Sequence, residues 1–92
     1  MTQQYIVGEF SLLLAGLQPV GDELLREAVG RLRHEVECGP PPMLSRLARE
    51  AMALTDSICW AALEQGDVGG FCRYADTAAA LREFAANANL LR

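Results

Sequence analysis

The chain reads as an all-α protein, a four-helix up-down-up-down antiparallel bundle. Three observations predict it. Ala and Leu dominate while β-branched and aromatic residues are sparse, which favours helix over strand. Four segments carry apolar residues at helical spacing, and the three breaks between them contain Gly or Pro. Those breaks are short, and helices joined by short turns pack as antiparallel neighbours. Ninety-two residues leave room for one core, so residues 1–92 form a single domain, with helices expected at about 4–17, 22–38, 42–65 and 68–89.

The first helix is set by Ile6, Phe10, Leu13, Leu14 and Leu17, which follow the i, i+4, i+7, i+8, i+11 pattern of one face. Val7 and Leu12 fall elsewhere, so this helix is apolar nearly all round and is either central or shared with another subunit. Gln18-Pro19-Val20-Gly21 ends it, because Pro19 lacks the backbone N–H that a continuing helix needs. Gly21 or Asp22 caps the second helix, whose seam is Leu25, Val29, Leu32 and Val36. Its outer face offers the i,i+4 pairs Glu27–Arg31, Arg31–Glu35 and Arg33–Glu37. Gly39 reads as a left-handed stop, enforced by a stiff polyproline-like Pro40-Pro41-Pro42 connector.

The third helix opens near Pro42, with Leu44, Leu47, Ala51, Leu54, Ile58 and Ala61 as its main stripe. Met52, Cys59 and Leu63 form a second stripe, with Trp60 near its edge and core packing as the default for that indole. Gly66 closes the helix and Asp67 is the natural N-cap of the fourth. The fourth carries Phe71, Tyr74, Ala78, Leu81, Ala85 and Ala88 as a heptad seam whose small residues permit close approach to helix three. Gly69 and Gly70 weaken its first turn, and Asn87 and Asn89 suggest fraying at its end.

Composition excludes several classes of function. The formal charge is −4 and the eight basic residues, all Arg, are scattered, so no basic face exists for nucleic acid. The apolar run Phe10 to Leu17 is too short to span a bilayer and no basic leader precedes it, so no membrane partner is expected. Three Cys without close-set pairs suit a reducing compartment, and the protein is expected in the cytoplasm.

No catalytic constellation stands out. His34 and Cys38, four apart, share one face of helix two and could hold Zn²⁺ if Cys59 and Cys72 reached them. Metal sites draw on close-set ligand pairs and only this one is present, so two buried thiols plus a surface His–Cys pair is the preferred account. Nucleophilic catalysis needs Ser, Thr or Cys beside a base. The single His lies on a charged helix face, where it reads as a solvated residue, and Ser11, Ser45 and Ser57 have no motif around them. Asp56 and Asp76 read as salt-bridge partners of Arg49 or Arg73. The segment from Gly66 to Gly70 lacks the Lys-Ser/Thr of a phosphate loop. No cofactor and no metal are expected.

The segment Ala62-Leu63-Glu64-Gln65-Gly66-Asp67, with Tyr74 and Ala78, resembles the turn and second helix of a tetratricopeptide repeat. It departs at Phe71, where the repeat wants a small residue, and no second copy follows. Tyr5 to Glu9, Cys59-Trp60, Gly66-Asp67 and Ala80 to Phe84 together are similar to small all-helical proteins of actinomycetes. That resemblance implies a helical fold and carries no activity and no site residues.

The apolar surplus points to association. The sequence is read as a protein-interaction or regulatory module acting as a homodimer, with Ile6, Phe10, Leu13, Leu14 and Leu17 at the dimer interface and a further protein partner. The alternative is a small apolar ligand carrier or sensor, with a pocket between helices three and four. Trp60, Phe71 and Tyr74 are the candidate partner- or ligand-binding residues in either case.

Overall fold

The computed structural model describes residues 3–19 and 21–90, which form four α-helices and no strand among the described residues. They are α1 (Gln3–Ala15), α2 (Glu23–Cys38), α3 (Leu44–Glu64) and α4 (Val68–Asn87). A short 3₁₀ turn, Pro41–Met43, precedes α3.

Cross-contacts establish the antiparallel order. The Tyr74 hydroxyl donates to the Gln18 carbonyl oxygen at 2.9 Å, and the Phe84 ring packs edge-on to Phe10 at 5.5 Å between centroids. Moving forward along α4 therefore means moving backward along the first segment. Arg82 of α4 likewise meets Asp56 of α3 across the hairpin. The most extensive packing joins α3 to α4, and α1 closes the bundle against α2 and α4. Ala48, Ala51, Ala62, Ala78 and Ala85 are buried, and such small side chains let helix axes approach.

The core collects Phe10, Leu14 and Leu17 from the first segment, Val29, Leu32 and Val36 from α2, Leu47, Ala51 and Ile58 from α3, and Tyr74, Leu81 and Phe84 from α4. This takes part of the expected dimer interface off the surface. Phe10, Leu14 and Leu17 are packed within their own chain and present no surface to a second copy, while Ile6 and Leu13 are half-buried against the same core. The exposed side of α1 instead carries Tyr5 and Leu12.

Local chemistry sets the helix ends. The Asp22 carboxylate accepts the Leu25 N–H and opens α2, as the sequence predicts. Gly39 differs from expectation: its φ of −79° is ordinary extended backbone. Its N–H donates to the Glu35 carbonyl, and the prolines after it break the helix. Those prolines are not an extended connector either, since Met43 N–H donates to the Pro40 carbonyl and Pro41–Met43 coils tightly. α1 stops at Ala15, two residues short of the expected end, where the Gly16 and Leu17 N–H groups bond three residues back. Val20, in the expected break, lies outside the described residues.

Both remaining C-termini end in the same motif. After α3, Gly66 takes a φ of +75°, its N–H donates to the Leu63 carbonyl and the Asp67 N–H donates to that of Ala62. After α4, Asn89 takes a φ of +58°, with Asn89 N–H to Ala86 and Leu90 N–H to Ala85. The expected fraying is therefore replaced by a closed cap, pinned by the buried Leu90 side chain.

Candidate functional site

Asp67 makes the α3–α4 hairpin tight. It closes the α3 cap through its N–H and opens α4 by accepting the Gly70 N–H at 2.9 Å. Only Gln65, Gly66 and Asp67 separate the helices, so the two run side by side over most of their length. Along their outer seam lies an open groove lined by Cys59 and Trp60 from α3 and by Phe71, Ala75 and Ala78 from α4. Ala75 and Ala78 keep its floor low. Asp56 and Arg82 line it too, their charged atoms 3.7 Å apart.

Trp60 is the distinctive member. It is 64% exposed, although its type and its place near an apolar stripe suggest core. The buried arc of α3 runs through Leu44, Leu47, Ala51, Thr55, Ile58 and Ala62, and Trp60 sits on the far side of the helix from it. Phe71 is half-buried in the same groove.

Tyr74 does not join them. Its ring is 5% exposed and its hydroxyl is spent on Gln18, so it pins the α1–α2 connection to the top of α4. The small void beside it, near Pro19 and Ile58, holds only about 10 Å³, at the lower limit for one water molecule. The expected trio thus divides into Trp60 and Phe71 at an outer groove and Tyr74 in the core.

The thiols divide as well. Cys59 is buried, and its thiol is pushed above its ordinary range first by burial and further by the Asp56 carboxylate, with the Arg82 guanidinium pulling back. Cys72, expected to be buried, is exposed on α4, and Cys38 is exposed at the end of α2; all three are free. The His34, Cys38, Cys59 and Cys72 set weighed as a zinc site therefore does not assemble, and no three His, Cys, Asp or Glu side chains converge among the described residues. His34 and Cys38 alone stay together, Sγ to Nδ1 at 3.8 Å.

Other polar groups serve structure. The Ser11 hydroxyl, buried in α1, donates to Glu37 at 2.6 Å and ties α1 to α2. Thr55 is fully buried with its hydroxyl donating to the Ala51 carbonyl. Asp56 pairs with Arg82, across the hairpin, where the sequence suggested Arg49 or Arg73. Of the ion pairs expected on α2, Arg33–Glu37 forms at 3.9 Å, and Arg26–Glu23 adds an unforeseen one at 2.9 Å. No helix of the described residues is long and apolar enough to cross a membrane.

No family model, curated protein or solved structure matches the chain.

Proposed function

We propose that this protein is a small helical interaction module that pairs with a second copy of itself through the outer face of the α3–α4 hairpin. The observation that carries this reading is Trp60, largely solvated beside a groove that it shares with Phe71. Trp is enriched in protein interfaces and concentrates their binding energy. Covering its indole with a partner would recover on the order of 25 cal/mol per Å² of apolar surface.

The charges favour a second copy as the occupant. In a two-fold interface residue i meets residue j and j meets i. The groove bears one carboxylate and one guanidinium, so Asp56 and Arg82 can face the partner's Arg82 and Asp56. The patch is locally neutral, whereas a chain of net charge −4 repels its copy elsewhere. A stable interface takes about 800 Å² from each partner. That is roughly one seventh of the 5609 Å² surface, an area that the exposed side of two helices of 21 and 20 residues can supply. An open groove also suits a helix face better than a small apolar ligand, whose sites enclose most of the ligand surface. Three free thiols fit a reducing compartment such as the cytoplasm.

Sedimentation at micromolar concentration tests the reading. The expected result is a dimer for the native chain and a shift to monomer in Trp60→Ala, with the dissociation constant raised about 30-fold, or roughly 2 kcal/mol. A native chain that stays monomeric, or a Trp60→Ala variant that dimerises unchanged, sinks it.

A further inference from the structure

We propose that His34 and Cys38 form a two-point chelate for a thiophilic divalent metal ion of the Zn²⁺ type at the C-terminal end of α2. The spacing is the first argument. Residues i and i+4 lie on one face of a helix, one turn apart, and project in the same direction. The exposed Cys38 Sγ lies 3.8 Å from His34 Nδ1. Zn–S and Zn–N bonds of about 2.3 and 2.0–2.1 Å at a tetrahedral angle put the two donor atoms about 3.5 Å apart. The donor separation is therefore within a few tenths of an ångström of the chelating distance, and torsional adjustment of two exposed side chains can turn both donors from their present contact toward one ion.

The donor set is the second argument. A thiolate and a neutral imidazole are the pair that Zn²⁺ and its neighbours in the transition series prefer, while Mg²⁺ and Ca²⁺ require oxygen. Binding through Nδ1 leaves the Nε2–H of His34 to solvent and releases the Cys38 thiol proton to water, so the ion replaces one proton. The position is the third. Cys38 is the last residue of α2, where the helix dipole presents its negative end and favours a cation. Glu37 Oε1 accepts the Ser11 hydroxyl and faces the Arg33 guanidinium. No third His, Cys, Asp or Glu converges on the pair among the described residues, so the remaining coordination positions fall to water or to exogenous ligands. Cys59, buried on another helix, takes no part.

Titration of the reduced full-length chain with Co²⁺ tests the assignment, because thiolate ligation produces a sulfur-to-cobalt charge-transfer band. The expected result is a band that saturates at one ion per chain and disappears on addition of Zn²⁺. It is absent in Cys38→Ala, appears only at about tenfold or more higher Co²⁺ in His34→Ala, and is unchanged in Cys72→Ala. All three side chains are exposed, so helical circular dichroism should be unaltered. No band in the native chain, equal affinity in His34→Ala, or loss of the band in Cys72→Ala would each overturn the proposal.

Discussion

Cys59 and Trp60 are neighbours in the chain with opposite surroundings, and the difference is measurable at Cys59. Burial and the Asp56 carboxylate raise the thiol above its ordinary range in the folded state. An unfolded thiol titrates near pH 8.5. Below that pH both states are protonated and the preference of the fold for the neutral thiol contributes in full. As pH rises further the unfolded chain loses its proton first, so this contribution fades through the raised folded pKa. The urea midpoint of the native chain should therefore fall more steeply between about pH 8 and pH 10 than that of Cys59→Ala. Parallel pH curves for the two proteins would show that Cys59 is solvated. At this scale periodicity reads the radial direction of Val29, Leu32 and Val36 correctly, because one helical face is apolar and the other charged. It fails for Trp60, whose residue type suggests burial while its angular position denies it. It also misses Phe84, which lies one residue before Ala85 of the small-residue seam and reaches sideways to Phe10. Thr55 is missed because its hydroxyl, bonded to Ala51, lets it pack as an apolar residue.

The helix ends show how far local chemistry is legible. Gly66 and Asp67 are readable because a left-handed C-cap and an acidic N-cap each prefer a few residue types. Asn89 carries the same left-handed signal in weaker form, followed by the anchoring Leu90, yet an Asn-rich tail reads equally as fraying. The two glycines that open α4 look alike in sequence and differ in the structure. A Cβ on Gly69 meets nothing closer than 3.8 Å, whereas one on Gly70 collides with the Asp67 carboxylate that caps the helix. Gly69→Ala should stabilise the fold by up to about 1 kcal/mol, the helix-propensity gain. Gly70→Ala forces Asp67 off the Gly70 N–H and forfeits a cap worth about 1 kcal/mol, which cancels or outweighs the same gain. Thermal unfolding of the two variants checks this. A higher Tm for Gly69→Ala and an unchanged or lower one for Gly70→Ala is expected, and equal stabilisation by both would mean that Asp67 does not cap α4. The proline connector defeats the sequence reading for a related reason, since fixed φ near −65° serves a polyproline segment and a 3₁₀ turn alike.

For the whole molecule, helix number and order follow from four apolar stripes and short connections, but the partner of α1 does not. A helix apolar on most sides is compatible with its own core or a neighbour's, and contacts such as Phe10–Phe84, Tyr74–Gln18 and Ser11–Glu37 place it in its own chain. Exposed apolar side chains remain on α1 and α2 (Tyr5, Leu12, Leu24) as well as on the α3–α4 hairpin (Trp60, Leu63, Val68). The hairpin groove proposed as the interface also carries two opposite charges, which give a test that distinguishes pairing between chains from pairing within one. Asp56→Arg leaves two cations at the groove and Arg82→Asp leaves two carboxylates; each breaks the internal 3.7 Å pair. Alone, each variant should fail to dimerise, because a two-fold axis sets like charges against like. Mixed in equal amounts they should form a heterodimer, since the cationic groove now faces the acidic one. The internal pair is exposed on both sides and worth at most about 1 kcal/mol, so neither change should unfold the chain. Sedimentation of the separate and mixed samples reads the outcome. A heterodimer that appears only on mixing, and that weakens with added salt, locates the interface at the Asp56–Arg82 groove. Variants that dimerise alone as the native chain does would remove this groove from any interface.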